Sequence, residues 1–437
     1  NKSGISILKL LKKQKKKYQC WDDNKNTRIE VKKILPNSNF LEINKTDLNN
    51  YDNIYVTPGI SLFDKKLKNA PILKLKRDLD LYYKSLRNEK IIAVTGTNGK
   101  STTTKLIGEI IKNIYNNTFI GGNIGEALCN SFSKKTKCLH HVIELSSFQL
   151  ETIKNFEPDI SILMNISKDH LDRYNNFNKY IQAKKNILNS KNNKINIISI
   201  DDNFSLKIFN CQKVKNKISF SIKNKKADIY YSNGFIFDQY FHELKKIKLD
   251  NISSDLINTY NMQSILVAYI TCKFLKVPIK FFKNKVKNFI ALPYRSSVIL
   301  NSNKKLIINN SKATNISSAI SSLENKKNVY LILGGIAKEK NFKVFNKFKK
   351  EINQIYIYGY SRFLIKKQIK LNKNSKLFKN LEDAIDTLLN DLSLFSGKAT
   401  ILFSPACASF DQFKNFEDRG RFFDKLIQDK IIKNENY

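Results

Sequence analysis

A glycine-rich loop between an apolar run and a helical pattern constrains this chain more than any other stretch. The loop spans Thr95–Thr102 and reads TGTNGKST, after the apolar run Ile91–Val94 and before apolar residues at helical spacing over 103–114. In a strand–loop–helix unit, backbone N–H groups and the positive end of the helix dipole converge on one point, which suits phosphate oxygens. Lys100 would add a positive charge there, and Ser101 a hydroxyl ligand for Mg²⁺. The pattern predicts an ATP-binding loop; the alternative is an ordinary glycine turn before a helix.

The charge of the chain raises a second hypothesis. The formal net charge is +39, which invites a basic ATPase or a nucleic-acid-binding protein. The lysines are spread along the whole chain, however, and arginine is scarce. This pattern favours a solvated lysine coat over a patch built for nucleic acid, so no nucleic-acid partner is predicted. Part of the excess charge would attract an anionic small-molecule substrate by electrostatic steering.

Length and cysteine usage limit the class of protein. With 437 residues, 41% of them hydrophobic, the chain is long enough for two or three domains. Its six cysteines are scattered without a Cys-x-x-Cys pair, which is typical of a reduced cytosolic protein without structural zinc. No apolar stretch approaches the ~20 residues that span a bilayer, and the first residues lack the apolar core of a signal peptide. We therefore expect a cytoplasmic protein without membrane insertion.

Short apolar runs alternate with helical patterns, which indicates an α/β fold with parallel sheets. Three domains are expected, over residues 1–78, 79–291 and 292–437. Within the second, the lysine-rich residues 194–250 are interpreted as small strands and loops. A helix is expected at 5–11, and the runs interpreted as strands lie at 18–21, 54–56, 91–94, 141–143, 160–166, 305–308, 329–333, 355–358 and 400–403.

Two strands of the second domain deliver polar side chains at their carboxyl ends. The run at 141–143 leads to Glu144, and the run at 160–166 leads to Asp169 and His170. Ligands of open parallel sheets bind beyond the carboxyl ends of the strands. We therefore expect Glu144 and His170 to face the same crevice as the glycine-rich loop. The alternatives are a surface carboxylate that caps a turn and a structural histidine.

Ten short motifs follow one another along nearly the whole chain. They are TPGI at 57–60, TGTNGKST at 95–102, GGNIG at 121–125, IELSSFQLE at 143–151, DHLDRY at 169–174, YIQAK at 180–184, LPYR at 292–295, SKATN at 311–315, LGG at 333–335 and SPACASFDQFKNFEDRG at 404–420. In this order they resemble the Mur ligase family of peptidoglycan synthesis, and most closely its D-glutamate-adding members. The long final motif argues against the alternatives within the superfamily, such as folylpolyglutamate synthase.

The resemblance implies an ATP-dependent amide ligation in cell-wall biogenesis, a process on which cell shape and division depend. ATP would phosphorylate the carboxylate of UDP-N-acetylmuramoyl-L-alanine, and the amine of D-glutamate would then attack the acyl phosphate and expel phosphate. Because two anions must meet, metal ions and lysines are needed to neutralise charge. The resemblance also implies a monomer of three domains. These are an N-terminal Rossmann-like domain for the uridine nucleotide, a central P-loop-type mononucleotide-binding parallel sheet for ATP, and a C-terminal Rossmann-like domain for D-glutamate.

The resemblance further assigns roles to single residues. Lys100, Glu144, His170 and Lys184 are the implied catalytic residues, and two Mg²⁺ ions are implied, with Ser101, Glu144, His170 and Lys184 as ligands. Lys184 falls on the position that the family carbamylates; Lys185 is the alternative if the alignment shifts by one. Residues implied in ATP binding are Gly96, Thr97, Asn98, Gly99, Lys100, Ser101, Thr102, Asn261, Arg295 and Asn310. Residues implied in substrate binding are Ser3, Asp22 and Gly59 for the uridine nucleotide, Asn123 for the rest of that substrate, and Lys312, Thr314, Lys338, Ser409 and Phe416 for D-glutamate.

Three departures from the family pattern are present. Asn310 replaces an aspartate that would bond the ATP ribose, although an amide can still bond a hydroxyl. The segment 258–261 and Ser264 differ from the family's adenine-site residues. Asn1 stands where a glycine is expected and no apolar strand precedes it. Either this sequence is a piece of a longer chain, or the first domain lacks its first strand, which would be buried. A decayed enzyme that keeps the fold with little activity is therefore a further alternative.

Overall fold

The computed structural model divides the chain into two compact units. The first comprises Asn1–Ile166, Arg173–Asn251 and Gln263–Lys287, and the second comprises Ser167–Asp172, Ile252–Met262 and Asn288–Tyr437. The residues that the structure describes are 2–170, 173–174, 176–188, 195–242, 245–253, 256, 259–324, 326–370, 375–393, 395 and 397–432. The boundaries expected for three domains stay a prediction.

The N-terminal part of the first unit alternates helices with very short strands. Its elements are α1 Lys2–Lys13, β1 Gln19–Cys20, α2 Lys25–Ile34, β2 Asn39–Phe40, β3 Ile54–Tyr55, β4 Leu75–Lys76 and α3 Asp78–Ser85. The predicted helix and both predicted strands are thus confirmed. Strand β1 pairs in parallel with β2, and β3 with β4. Leu10 and Leu11 of α1 pack in one core cluster with Leu79 and Ile91, which joins this part to the rest of the first unit.

A large sheet forms the centre of the first unit. Its described strands are β5 Lys90–Thr95, β6 Thr118–Gly122, β7 His140–Glu144, β8 Ile160–Leu163, β9 Ile195–Ser199, β10 Lys217–Ser221, β11 Ile229–Ser232, β12 Phe235–Asp238 and β13 Lys246–Lys248. Their order is β13-β12-β11-β10-β9-β8-β5-β7-β6. Strands β5 to β11 pair in parallel, whereas β12 pairs antiparallel with β11 and β13 antiparallel with β12. The central strands are apolar on both faces, with Ile92 and Ile162 fully buried, as expected for a parallel sheet covered on both sides.

The helices that accompany this sheet are α4 Lys100–Lys112, α5 Phe177–Lys185, α6 Asn203–Phe209, α7 Thr259–Phe274 and α8 Ile279–Lys287. Helix α7 is buried on all sides, since every residue of Ile265–Ile270 has no solvent exposure. The interpretation of 194–250 as small strands and loops is confirmed for β9 to β13, but it misses α6. That helix begins where the Asp202 carboxylate accepts hydrogen bonds from the N–H groups of Phe204 and Ser205.

The second unit is built on a smaller sheet. Its described elements are β14 Ser297–Asn301, β15 Lys305–Asn309, α9 Ile316–Leu323, β16 Val329–Gly334, β17 Ile352–Tyr358, α10 Arg362–Gln368, β18 Ser375–Phe378, α11 Leu381–Ser393, β19 Ala399–Ala406 and α12 Phe416–Ile427. The strand order is β14-β15-β19-β16-β17-β18, parallel except for β14. All four strands predicted for this region are confirmed, and β14 and β18 are additional. Separate apolar clusters include Leu331 and Ile332, adjacent residues whose side chains point to opposite faces of the sheet.

Two predominantly parallel sheets with helices confirm the predicted α/β class. The carboxyl ends of β5, β7 and β8 lie at one edge of the large sheet, because these strands are parallel neighbours. All six cysteines are free thiols, as expected for a reduced protein. Among the described helices, none has both the length and the apolar character needed to cross a membrane.

A buried tyrosine–histidine pair makes the stability of the first unit dependent on pH. The Tyr82 hydroxyl lies 2.6 Å from Nδ1 of His141, and Nε2 of His141 lies 3.0 Å from the carbonyl oxygen of Cys138. Because a carbonyl only accepts, Nε2 carries the proton and Nδ1 accepts from Tyr82, so the ring is neutral. Burial lowers the pKa of His141 below its usual value.

Below about pH 6.5 the unfolded chain therefore binds a proton at His141 that the folded chain does not bind, and stability falls as the pH is lowered. The expected loss is at most ~1.4 kcal/mol per pH unit. The substitution His141→Gln keeps a donor and an acceptor but removes the titration, so it should flatten urea-unfolding stability between pH 7 and 5. The same change at exposed His242 serves as the control. An unaltered slope in His141→Gln would contradict this assignment.

Candidate functional site

The glycine-rich loop joins β5 to α4 as the sequence predicts. Strand β5 ends at Thr95 and helix α4 begins at Lys100. Gly99 precedes the helix with a φ of 80°, a left-handed conformation that glycine adopts without steric cost. Its carbonyl oxygen accepts the N–H of Thr103 at 3.0 Å, which starts the helical hydrogen bonding. The N–H groups of the first turn lack acceptors within the helix, so the loop and the helix start can bind an anion.

Asn165, which the sequence reasoning did not select, fixes the shape of this loop. Its side-chain oxygen accepts the N–H of Asn98 at 2.8 Å, and its backbone oxygen accepts the N–H of Thr97 at 2.9 Å. Its side-chain nitrogen donates to the Asn98 carbonyl oxygen at 3.1 Å and to Oε1 of Gln263 at 3.2 Å. Asn165 lies two residues after β8. The signal that could have identified it is therefore the one that identified Glu144, a polar residue beyond the carboxyl end of a strand.

Two lysines donate to carbonyl oxygens of the loop. Nζ of Lys100 donates to the carbonyl oxygen of Thr97 at 2.8 Å. Nζ of Lys184, from α5, donates to the carbonyl oxygen of Gly96 at 2.6 Å, and Lys184 is only 2% exposed. One turn earlier on α5, the Tyr180 hydroxyl lies 2.9 Å from the Thr97 hydroxyl. Helix α5 thus supports the loop at two successive residues.

The start of α4 is buried beneath the loop. Ser101 and Thr102 are 3% and 5% exposed. The Thr103 hydroxyl donates to the Ser264 hydroxyl at 2.8 Å, and both side chains are fully buried. Ser264 was one of the departures from the family pattern, and in this protein it completes a buried hydrogen bond. The serine at position 264 therefore satisfies the buried hydroxyl of Thr103.

Glu144 ends the strand next to β5, where it is paired with Val94. Its side chain is 1% exposed, and Oε1 accepts a hydrogen bond from Nδ2 of Asn123 at 2.8 Å. Within the part of the chain that the structure describes, Oε2 of Glu144 is buried and has no hydrogen-bond partner. A buried carboxylate oxygen without a partner costs free energy unless a cation or a donor compensates it. Oε2 is therefore a candidate metal ligand beside the loop.

The approach of Asn123 to Glu144 depends on the glycine before it. Gly122 has a φ of 109°, and a Cβ there would lie 2.2 Å from the backbone oxygen of Glu144. That oxygen accepts the N–H of Asn123 at 2.9 Å. The asparagine that sequence reasoning selected for substrate contact therefore also orients the candidate metal ligand.

The two lysines that were alternatives for carbamylation lie in different surroundings. Lys184 is buried against the loop, as described above, and its ammonium also lies 4.8 Å from the centre of the Tyr180 ring. Lys185 is only partly buried. Only Lys184 of this pair reaches the loop within the described contacts. Carbamylation of Lys184 stays a prediction.

Asp169 and His170 belong to the second compact unit. His170 has a φ of 54°, which is uncommon for a residue with a side chain, and its N–H donates to the Asp169 carboxylate at 2.8 Å. The same carboxylate accepts from Nδ2 of Asn315 at 3.2 Å and lies 3.8 Å from Nζ of Lys338. The next two residues of this motif, 171 and 172, lie outside the described residues. The expectation that His170 faces the crevice of the loop stays a prediction.

The residues expected to bind D-glutamate also belong to the second unit. Nζ of Lys312 lies 4.0 Å from the centre of the Phe416 ring, and the Lys312 carbonyl oxygen accepts the N–H of Thr314 at 2.8 Å. Ser409 is 2% exposed and follows β19. Lys338 is the residue beside Asp169. The structure thus brings Lys312, Thr314 and Phe416 together, and their binding role stays a prediction.

A buried arginine that sequence reasoning did not select connects two of these loops. Arg419, on α12, has no solvent exposure. It donates to the hydroxyl of Ser311 at 3.0 Å, to the carbonyl oxygen of Ser311 at 2.7 Å and to the carbonyl oxygen of Cys407 at 3.0 Å. The Ser311 hydroxyl in turn donates to the carbonyl oxygen of Phe416 at 2.8 Å. Arg419 therefore fixes the SKATN loop against the SPACAS loop.

Three residues predicted for ATP belong to the second compact unit. Asn310 is 5% exposed; its Oδ1 accepts the N–H of Ser296 at 3.2 Å and its Nδ2 donates to the Ser404 hydroxyl at 3.3 Å. Asn261 is 6% exposed and lies in α7, and Arg295 is partly buried. Residue 258 of the altered adenine motif lies outside the described residues. Their contact with a nucleotide stays a prediction.

The residues expected for the uridine nucleotide lie in the first unit. Ser3 is in the first turn of α1, where its carbonyl oxygen accepts the Ser6 hydroxyl at 2.8 Å. The Asp22 carboxylate accepts the N–H of Asn24 at 3.0 Å, ahead of α2. Gly59 is exposed, with nothing within 4 Å of the position a Cβ would take. These positions are compatible with ligand contact, which stays a prediction.

Known proteins are similar to this chain along nearly its whole length. Residues 94–272 match the Mur ligase middle domain. The UDP-N-acetylmuramoylalanine--D-glutamate ligase of Rickettsia prowazekii (strain Madrid E) is 32% identical, over 97% of this chain and 95% of that protein. The protein of the same name from Caldicellulosiruptor saccharolyticus is 29% identical, over 98% of this chain and 97% of that protein.

Solved structures share the fold at lower identity. The pseudomurein peptide ligase type C of Methanothermus fervidus has a TM-score of 0.61 at 16% identity and covers 98% of both chains. The MurF ligase of Thermotoga maritima in complex with ADP has a TM-score of 0.60 at 16% identity, over 89% of this chain and 97% of that chain. A bifunctional folylpolyglutamate synthase/dihydrofolate synthase from Yersinia pestis, complexed with AMPPNP and Mn ion, has a TM-score of 0.54 at 13% identity, over 80% and 92%. At these identities the likeness establishes the fold alone.

Proposed function

Since this chain belongs to the Mur ligase family, we propose that it catalyses the ATP-dependent addition of D-glutamate to UDP-N-acetylmuramoyl-L-alanine in peptidoglycan precursor synthesis. The observation that carries the proposal is the 32% identity, over 97% of this chain, to a ligase whose name states this reaction. The geometry of the glycine-rich loop is compatible with the nucleotide that the reaction consumes. The fold shared with the solved structures supports the ligase fold but not the choice of amino acid.

The proposed reaction has two steps. In the first, a carboxylate oxygen of the L-alanyl group attacks the γ-phosphorus of ATP, so that an acyl phosphate and ADP form. In the second, the amine of D-glutamate attacks the acyl carbon, the bond from that carbon to the phosphate oxygen breaks, and the amine loses a proton as inorganic phosphate leaves. Both steps bring two anionic reactants together, so positioning and charge neutralisation supply most of the catalysis.

The loop and Lys100 would handle the phosphates of ATP. The N–H groups at the start of α4 offer donors to phosphate oxygens, and the Lys100 ammonium adds a full charge. In the structure the ammonium donates to the Thr97 carbonyl oxygen at 2.8 Å, which places its charge at the loop. Asn165 keeps the loop in this shape through the N–H groups of Thr97 and Asn98.

The residues beside the loop fit a divalent cation. The buried Oε2 of Glu144 has no partner within the described residues, Asn123 orients the other carboxylate oxygen, and Ser101 lies at the adjoining start of α4. Hard oxygen donors of this kind suit Mg²⁺. Glu144 and Ser101 would hold one ion, which when bound neutralises charge on the transferring phosphoryl group. The structural relative crystallised with AMPPNP and Mn ion is consistent with a divalent ion in this family.

Lys184 in its carbamylated form would be a ligand of a second ion, as the family resemblance implies. Carbamylation joins CO₂ to a neutral amine with loss of a proton, and it turns a cationic side chain into an anionic oxygen donor. This reaction requires a neutral amine, and Lys184 is buried beside the loop at 2% exposure. The nitrogen of a carbamate still carries one N–H, so the hydrogen bond to the Gly96 carbonyl oxygen can be kept.

D-glutamate would be bound by Lys312, Thr314, Lys338, Ser409 and Phe416. Two ammonium groups and two hydroxyl groups suit a dicarboxylate. Lys338 lies 3.8 Å from the Asp169 carboxylate, so a substrate carboxylate would compete with Asp169 for this ammonium. Arg419 would hold the two loops that carry Thr314 and Ser409 in a fixed position relative to each other.

The test is a measurement of ADP release by the purified protein with ATP and Mg²⁺. We expect ADP and phosphate in equal amounts only when UDP-N-acetylmuramoyl-L-alanine and D-glutamate are both present, and a product whose mass exceeds the nucleotide substrate by one glutamyl residue. Equal turnover with L-glutamate or a diamino acid would reject the proposed specificity. Turnover with a folate substrate instead would favour the folylpolyglutamate alternative, and absence of any ligation would favour the decayed enzyme.

A further inference from the structure

A buried arginine, Arg77, hydrogen-bonds to the backbone of the turn over residues 56–60. Nη1 of Arg77 lies within hydrogen-bond distance of the carbonyl oxygens of Val56 at 3.0 Å, Thr57 at 2.9 Å and Ile60 at 3.0 Å. Arg77 has no solvent exposure, although arginine is almost never fully buried without partners. Its place between β4 and α3 therefore makes it an anchor for this turn.

A second arginine, Arg173, donates to the carbonyl oxygen of Pro58, which Arg77 does not contact. Arg173 donates from Nη1 to the carbonyl oxygen of Pro58 and from Nη2 to that of Ile60, the latter at 2.9 Å. Its guanidinium plane lies over the Phe148 ring, 3.7 Å from the ring centre. Four of the five carbonyl groups over 56–60 therefore accept from a guanidinium group, and the two arginines come from segments far apart in the chain.

Glu151 joins the two arginines. Its Oε2 lies 2.8 Å from Nη2 of Arg77 and 3.8 Å from Nη2 of Arg173, and the carboxylate is 15% exposed. Glu151 ends the IELSSFQLE motif that begins with the strand carrying Glu144. The turn is thus connected through Arg77, Arg173 and Glu151 to the segment that follows the candidate metal ligand.

The side of the turn that the arginines do not take is open to a ligand. The Ile60 N–H closes the turn on the Thr57 carbonyl oxygen at 2.9 Å, and Gly59 is exposed at its tip. A Cβ on Gly4 would lie 3.4 Å from Cγ2 of Thr57, so the first turn of α1 lies beside this turn. The exposed Gly59 at the tip of the turn is therefore accessible to a ligand.

We propose that Arg77 and Arg173 are positioning residues for the nucleotide substrate: they hold the 56–60 turn by its carbonyl groups so that the exposed Gly59 is presented to that substrate. The inference rests on the proposed function for the identity of that substrate. It adds to that function two residues that do not touch the ligand themselves.

Arginine is required here for a geometric reason. A planar guanidinium group holds its two terminal nitrogens at a fixed separation, whereas an ammonium group is a single point of charge. Arg173 uses these nitrogens for the carbonyl oxygens of Pro58 and Ile60. Arg77 uses one for the turn and the other for Glu151. The chain uses lysine for most of its positive charge and contains eight arginines. That Arg77 and Arg173 are among these few supports a role that lysine would not fill.

The test is calorimetric binding of UDP-N-acetylmuramoyl-L-alanine to the full chain, together with steady-state kinetics. We expect Arg173→Gln to raise the Kd and KM for this nucleotide about tenfold or more, while KM for ATP and for D-glutamate and kcat at saturation change less than about threefold. Arg173→Lys should restore only part of the affinity, because it cannot reach both Pro58 and Ile60. Arg77→Lys should show the same selective loss, with thermal unfolding recorded to confirm that it folds.

Arg87→Gln is the matched control, since Arg87 is exposed in the same unit and the charge change is identical. The inference is overturned if Arg173→Gln binds the nucleotide like the wild type, if Arg173→Lys restores full affinity, or if all three substrates weaken equally. If the wild type binds the nucleotide but forms no product with D-glutamate, the proposed function fails while the calorimetric comparison still decides the inference. A wild-type protein that binds no UDP-nucleotide overturns both.

Discussion

Replacing Lys100 by alanine is expected to lower kcat about 1,000-fold or more, because the transferring phosphoryl group loses its principal side-chain cation. The effect should fall on turnover rather than on folding. In the free protein the ammonium makes a hydrogen bond to the Thr97 carbonyl oxygen, and Asn165 holds the loop independently of it. The measurement is steady-state ADP release at saturating substrates, alongside the thermal unfolding temperature of the variant.

Lys112→Ala provides the control for the Lys100 substitution, since Lys112 is exposed at the far end of the same helix. It should leave kcat within about twofold, as expected for a surface position away from the site. Activity of Lys100→Ala close to that of Lys112→Ala would show that the loop does not act on the phosphates of ATP, and the assignment of the loop would have to be abandoned.

Lys184→Ala is expected to reduce kcat by about 100-fold or more, because a ligand to the second metal ion and a support of the loop are removed together. If the missing group is a carbamate, millimolar formate or acetate should restore part of the activity by placing a carboxylate in the space left by the side chain. The measurement is ADP release as a function of formate concentration.

Lys185→Ala tests whether Lys184, and not its neighbour, is the carbamylated residue. Lys185 makes no contact with the loop among the described contacts. It should retain activity and show no response to formate. Full activity of Lys184→Ala would remove this residue from the mechanism. Loss of activity without any rescue would leave its support of the Gly96 carbonyl as its role and would count against carbamylation.

Much of the arrangement around the loop could be predicted because its signals are local. The run at 91–94, the glycines and the helical spacing after them fix a strand, a loop and a helix within about twenty-five residues. Glu144 could be placed because the end of a parallel strand is visible in the sequence as a change from apolar to polar residues. The edge strand β18 was missed because its exposed side chains give no apolar run.

The residues that hold the site together could not be placed from local pattern. Arg77 bonds to Glu151, Asn165 bonds to Gln263, and Arg419 bonds to Ser311, all between segments far apart in sequence. Such contacts depend on how the elements pack, which periodicity does not specify. One signal was available in the composition: where lysine is the usual cation, each arginine marks a place at which a planar, multiply bonded group is needed.

The antiparallel strand β13 at one end of the large sheet has a consequence for the behaviour of the protein in concentrated solution. It is only three residues long, and Lys246 and Lys248 are exposed on either side of buried Ile247. Short edge strands that carry lysine repel the approach of another strand. This margin of the sheet is therefore poorly suited to templating aggregation, even though the strands behind it are strongly apolar.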